Sequence, residues 1–372
     1  MTTATTAAAA VAESTENLIK FPRLNLQFDV DSVAFTIGGY DIAWYGVIIT
    51  LGMILAMVFG FSQMKKFGVD PDKGIDCVIA GIFGGIIGAR LYYVIMEIES
   101  YKTFKDVIDI RSGGLAIYGG IIGALLFGCI MAKIRKVKVL PLLDVAGMSF
   151  LIGQCIGRWG NFCNHEAFGT VTDLPWGMTS ERMVNWASSN TDLTFSTTEA
   201  TFHPCFLYES IWNFVGFLLI FFVISKRRKF DGEVFLSYVC WYGLGRAFIE
   251  GLRLDSLTIG TMRVSQVLAA ISCVAAFIVI LVMRQKVKQL GTDYVMYADT
   301  DEFKQEMELA AQKLENSKHK KNDGSEDADE SVDAAENDED DADVQSSEEN
   351  CEDVSDDEND DNDNDVVSDN EI

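Results

Sequence analysis

The sequence predicts an all-α polytopic integral membrane protein with seven transmembrane helices, a small external head segment and a disordered acidic C-terminal tail. Three observations predict it. Apolar runs of about 20 residues recur along the chain, the strong basic clusters all fall on one side of them, and the last stretch of chain has almost nothing to bury.

The tail accounts for a formal charge of −25 that would otherwise suggest a soluble acidic protein. From Asp323 to Ile372 there are 25 Asp and Glu and no Lys or Arg, which leaves 30 acids against 30 bases in the other 322 residues. Even with that tail, 49% of the chain is hydrophobic and the mean hydropathy is +0.15. The body is therefore strongly apolar, whereas a segment as charged as 323–372 cannot bury enough surface to offset the entropy of ordering.

Residues 1–32 read as an external N-terminal extension. Met1 to Thr15 is rich in Ala and Thr and lacks the basic flank and short apolar core of a cleaved signal, so the first span is expected to do the targeting. Residues 33–290 hold the seven spans. Ile42 to Phe61, Leu115 to Ala132 and Val264 to Met283 contain no charge, while Ile75 to Met96, Leu140 to Gly157, Phe206 to Ser225 and Val234 to Ile249 carry ionisable residues. Basic clusters at Lys65–Lys66, Lys133 to Lys138, Lys226 to Lys229 and Arg284 to Lys288 all lie on one side. The positive-inside rule then puts the N-terminus outside and the C-terminus in the cytoplasm, with 158–205 external. Residues 291–322 are a cytoplasmic linker in which Asp301 to Lys318 has the pattern of a short amphipathic helix, and 323–372 are the tail. The eight cysteines are not spaced like zinc ligands and no metal is expected. Cys163 and Cys205 lie outside the bilayer on one side, where a disulfide between them is an option.

The ionisable residues inside the spans are Asp76, Arg90, Asp144, Glu209 and Arg246. Each should face the bundle interior, because a central Arg or Asp costs about 2.5 to 3.5 kcal/mol on insertion. Asp76 and Asp144 lie near helix ends, where local pairing is a sufficient explanation. Tyr242, Arg246, Glu250 and Arg253 follow at offsets that a helix gathers on one face, a stripe suited to a polar cavity near the outer leaflet. Simple pairing of Arg246 with Glu250 is the competing account.

Two further tracts carry polar chemistry. Gly157-Arg158-Trp159-Gly160-Asn161-Phe162-Cys163-Asn164-His165-Glu166-Ala167-Phe168-Gly169 ends the fourth span. Arg158 offers a planar fork of donors for phosphate or carboxylate, and Asn161 and Asn164 bond without charge. Ser112 to Gly123, with two Gly–Gly pairs around Tyr118, opens the third span. Its outward helix N-terminus favours an anion, and its glycines equally permit close helix packing.

The tract Gly157 to Gly169 resembles the signature of the prolipoprotein diacylglyceryl transferases, of form G-R-x-G-N-F-x-N-x-E-x-aromatic-G. The same order of features continues in Ala43-Trp44-Tyr45-Gly46, the Gly–Gly tract, His203-Pro204 with Leu207-Tyr208-Glu209, and Tyr242 to Arg253. The similarity runs from about Val33 to Met283. The resemblance implies a bacterial cytoplasmic-membrane enzyme that moves the diacylglyceryl group of phosphatidylglycerol to the lipobox cysteine of a prolipoprotein, releasing glycerol phosphate, the first step of lipoprotein maturation. It implies no metal, no soluble cofactor and no nucleic-acid partner. Arg246, Arg158, Tyr118 and Glu166 are then the catalytic candidates, and Tyr45, Asn161, Gly169, Tyr242, Arg253 and His203 the substrate-binding ones. Many relatives carry His where this chain has Tyr118, so the proton acceptor is left open among Tyr118, Tyr45 and Glu166.

The chemistry agrees with the residues. Breaking the glyceryl carbon–oxygen bond turns a phosphodiester into a phosphate monoester, and fixed guanidinium groups stabilise that growing charge. An attacking cysteine has an ordinary pKa near 8.5, so nearby arginines are enough to favour the thiolate. A transporter or a lipid-binding receptor for an anionic substrate is the alternative. The chain has no inverted repeat, and its polar residues gather at the external third rather than at the midplane.

Overall fold

The computed structural model describes residues 17–101, 103–110, 113–190, 200–254, 258–259 and 262–326. Most of the expected acidic tail and the first 16 residues lie outside the described residues, as does Ser112 of the glycine tract. The helices in chain order are α1 (Trp44–Met64), α2 (Pro71–Met96), α3 (Phe104–Ile108), α4 (Ile117–Ile134), α5 (Val139–Cys163), α6 (Glu181–Asn190), α7 (Cys205–Arg227, with a π turn at Ile220–Ile224), α8 (Glu233–Ile249), α9 (Val264–Leu290) and α10 (Asp301–Glu326). The expected linker helix is thus α10, which runs four residues into the segment read as tail. Six helices, α1, α2, α4, α5, α7 and α9, are long and apolar enough to cross a membrane, and the fold is that of a multi-pass membrane protein. The remaining expected span, α8, is a 17-residue helix packed between α9 and α5. Side chains such as Val58, Phe83, Ile122, Phe248 and Ile271 are at least 60% exposed on the bundle surface, as they should be where the solvent is lipid.

Close helix approach depends on glycine. Along α2 and α4, Gly84 and Gly88 face Gly119 and Gly123, and a Cβ on Gly123 would overlap the Gly84 carbonyl. The glycines of the third-span tract therefore act in packing. At its start Gly113 and Gly114 adopt left-handed φ of 90° and 74°, and this turn wraps a buried arginine. Arg90 donates to the carbonyls of Asp106, Val107, Gly113 and Gly114 at 2.7–2.9 Å. Its role in this structure is to hold the loop between α2 and α4.

The expected pairing of the two aspartates is observed. Asp76 meets Arg135 at 2.6 Å. Asp144, fully buried, accepts from the backbone N–H of Gly232 (2.7 Å) and Phe235 (2.8 Å), capping α8 from a neighbouring helix. The turns bearing basic clusters lie together at this end. The segment before α10 crosses them, with Tyr297 N donating to Asp231 Oδ2 at 2.9 Å and Asp231 N donating to Tyr294 Oη at 3.1 Å, and Glu306 of α10 pairs with Lys73.

At the opposite end stands a small head. Its core joins Ile19, Phe21, Phe168, Met178, Met183, Phe202 and Phe206. The hairpin of β1 (Leu18–Phe21) and β2 (Leu26–Asp29) belongs to it, bonded to Thr179 through Lys20. A second hairpin, β3 (Val33–Ile37) with β4 (Tyr40–Ala43), leads directly into α1, and β5 (Thr258–Ile259) pairs with β6 (Met262–Arg263) before α9. The hairpins are additions to the expected all-helical fold. No disulfide joins Cys163 and Cys205, so that option is not realised.

If the α2–α4 seam sets the bundle, Gly123→Leu should cost about 1–3 kcal/mol or more by overpacking. We expect a lower melting temperature and loss of the monodisperse peak in detergent, with Ile122→Leu, on an exposed position, unchanged. Wild-type behaviour of the Gly123 variant would contradict the assignment.

Candidate active site

The charged groups converge on one carboxylate. Glu209, in the first turns of α7 and 4% exposed, faces Arg246 Nη1 at 2.9 Å and Arg253 Nη1 at 3.4 Å through Oε1, and Arg158 Nη2 at 2.7 Å through Oε2. The last is a charge contact without the alignment of a hydrogen bond. Arg246 Nη2 also lies 2.6 Å from Glu250 Oε2, and the Arg263 side chain donates to the Glu250 carbonyl. Among the described residues, three guanidinium groups meet two carboxylates in these contacts.

Each arginine arrives on a different element. Arg158 lies in the last turns of α5, because the signature continues the helix to Cys163 rather than leaving it at Gly157. Its Nη1 donates to Asn161 Oδ1 at 3.4 Å. Arg246 is on α8, where it lines a pocket with Tyr242, Glu209, Trp212 and Gly245. Arg253 departs from the expected helical stripe: α8 ends at Ile249, and backbone turns closed by Leu252 N to Ile249 O and Arg253 N to Glu250 O carry it round. An isolated β-bridge from Arg253 to Gly169 then returns it to the cluster. Arg246 pairs with Glu250, and of the stripe Tyr242 and Arg246 also line the pocket.

The helices forming the pocket are locked by a reciprocal tryptophan pair. Trp212 and Trp241 stack at 4.5 Å, and each indole N–H donates to the other's carbonyl at 2.9 Å. Gly216 and Gly245 make room for the rings, since a Cβ on either would overlap an indole. This fixes α7 against α8 and hence Glu209 against Arg246.

After Cys163 the signature turns sharply, with His165 and Ala167 in left-handed φ of 57° and 56°. Buried His165 is anchored to Ser180 Oγ at 3.0 Å and the Val30 carbonyl at 3.3 Å. Glu166 is exposed and accepts from Asn164 Nδ2 at 2.7 Å. Tyr45, at the start of α1, packs on Gly160 and is near enough to Arg158 and Glu166 to sense both charges. Gly169 N donates to the His203 carbonyl at 2.8 Å, and a Cβ there would overlap Leu252 O and Cys205 Sγ. That glycine therefore brings three chain segments together beside the cluster. Tyr118 is half-buried on α4, and among the described residues its hydroxyl has no hydrogen-bond partner.

The centre of the cluster, Glu209, received no site role in the sequence reading, although it stood among the intramembrane ionisable residues. Charge balance was the available signal: several arginines at span ends require a buried anion, and Glu209 is the acid within the neighbouring span.

The fold and site define an integral membrane protein with a cluster of arginines around a buried carboxylate at one end of its bundle. The profile described as prolipoprotein diacylglyceryl transferase matches residues 32–282. Among similar proteins, phosphatidylglycerol–prolipoprotein diacylglyceryl transferase of Finegoldia magna is 42% identical over 258 residues, covering 69% of this chain and 97% of that protein. The transferases so named from Clostridioides difficile (38% over 260 residues) and Clostridium perfringens (40% over 265 residues) each match over 70% of this chain and 98% of their own. This chain belongs to the prolipoprotein diacylglyceryl transferase family.

Glu209→Gln should leave three guanidinium groups in mutual repulsion, and removing one partner of a buried ionic group typically costs about 3–5 kcal/mol. Thermal unfolding in detergent should show a loss of this order together with loss of transfer. A variant as stable and active as wild type would mean that Glu209 does not organise the cluster.

Proposed function

We propose that this chain transfers the diacylglyceryl group of phosphatidylglycerol to the thiol of a prolipoprotein lipobox cysteine and releases glycerol phosphate. The observation that carries the reading is the cluster of Arg158, Arg246 and Arg253 around Glu209 on a chain of this family. The cysteine sulfur attacks the glyceryl carbon; a carbon–sulfur bond forms, the carbon–oxygen bond breaks, and its electron pair leaves on the phosphate oxygen. Arg246 and Arg158 stabilise the charge that grows there, Arg253 and Asn161 complete the clamp, and Tyr242 lines the lipid pocket. Glu166 receives the thiol proton, with Tyr45 beside it. Tyr118 serves as a hydrogen-bond donor rather than a base. His203 and Gly169 shape the side that meets the peptide.

In this reading α8 is the seventh span, and the enzyme sits in the bacterial cytoplasmic membrane with the head and N-terminus outside. The basic turns and α10 face the cytoplasm.

With purified protein, phosphatidylglycerol and a lipobox peptide, mass spectrometry should detect one added diacylglyceryl group per cysteine. Arg246→Lys keeps the charge but loses the planar fork, and we expect transfer to fall by about 100-fold or more, in the range for removal of a transition-state donor, while lipid still binds. Full turnover by that variant would reject a guanidinium-specific role. Orientation is checked on intact cells. A cysteine placed at exposed Ser189 should react with an impermeant thiol reagent and one at Lys136 should not; the reverse pattern would invert the topology.

A further inference from the structure

A hydrogen-bond chain beside the arginine cluster sets the state of His203. Trp176 Nε1 donates to Tyr208 Oη at 2.7 Å, and the same oxygen lies 3.1 Å from His203 Nδ1. An indole N–H can only donate, so the phenol oxygen is the acceptor in the first contact. Its single proton then has His203 Nδ1 as the acceptor at hand. A neutral imidazole that accepts at Nδ1 carries its proton on Nε2. Burial lowers the His203 pKa below its ordinary value, which favours that neutral form. Among the described residues Nε2 has no hydrogen-bond partner.

The backbone holds the residue in place. His203 N donates to the Thr170 carbonyl at 3.1 Å, and its own carbonyl accepts from Gly169 N at 2.8 Å. Gly169 is bridged to Arg253, and Tyr208 precedes Glu209, so both ends of the chain are tied to the cluster. The arginines already supply positive charge for a phosphate. An uncharged donor, placed in the head segment rather than within a span, is matched to an uncharged acceptor.

We propose that Trp176 and Tyr208 are positioning residues that fix His203 as an Nε2–H donor to a backbone carbonyl of the prolipoprotein near its acceptor cysteine. The proposal rests on the transferase reading for the identity of the peptide. The tautomer itself does not.

Two measurements separate the parts. The chain has three histidines, so ¹⁵N-histidine spectra of the full-length protein in lipid nanodiscs can be assigned with a His203→Gln control. Wild type should show His203 protonated on Nε2 alone, and Tyr208→Phe should shift it to a mixture of tautomers. An Nδ1–H form in wild type, or no change in the variant, would overturn the relay whether or not transfer occurs. Steady-state transfer is then measured with lipobox peptide and phosphatidylglycerol varied separately. Tyr208→Phe and His203→Ala should raise KM for the peptide about tenfold, the scale of one lost hydrogen bond, with KM for the lipid unmoved. In His203→Gln the amide nitrogen reaches where Nε2 stood and should recover most of that loss, whereas in His203→Asn it reaches only Nδ1 and should not. A rise in lipid KM instead, or equal behaviour of Gln and Asn, would refute the donor role. Absence of transfer by wild type would instead sink the transferase reading.

Discussion

A single buried carboxylate, Glu209, holds three arginines from three parts of the chain. Without it, Arg158, Arg246 and Arg253 would repel one another at the end of an apolar bundle, where charge is costly. With it, they are held together with their side chains 13–20% exposed. The neighbouring architecture serves that placement. The Trp212–Trp241 pair sets α7 against α8, Gly160 admits Tyr45 against α5, and Gly169 lets the Arg253 turn close on the signature.

The two ends of the bundle are built differently. At the basic end the acids meet backbone or arginine: Asp144 caps α8, Asp231 Oδ2 accepts from Tyr297 N, and Glu233 pairs with Arg284. At the head end, three arginines face Glu209, and His203 Nε2 has no hydrogen-bond partner among the described residues. The first arrangement suits stability and the second suits a ligand that brings its own negative charge.

Much of this was legible in the sequence because it is local. Charge-free runs marked the helices, and Arg246 stood out as an arginine in an apolar span with Tyr242 one turn away. Arg158 and Asn161 shared a short tract rich in donors. What escaped was non-local. Glu209 reads as one acid in an apolar run until the arginines that surround it are known, and Arg253 joins the cluster through a turn and a β-bridge that helical spacing does not encode. The Trp176–Tyr208–His203 chain links a loop to a helix start across 32 residues of sequence. Residues 18–29 looked like an extension because their hairpin is completed by packing against distant Met178 and Phe202.

The central claim is that the arginine cluster is complementary to the charge that develops on the leaving phosphate, more than to the lipid that enters. Glycerol phosphate is largely dianionic at neutral pH, because the second pKa of a phosphate monoester is near 6, whereas its methyl diester keeps the single charge of the phospholipid headgroup. The direct measurement is the inhibition constant of each against transfer by the wild-type protein. The account predicts that the dianion binds about tenfold more tightly or better, corresponding to about 1.4 kcal/mol. Equal binding of the two, or tighter binding of the diester, would contradict it.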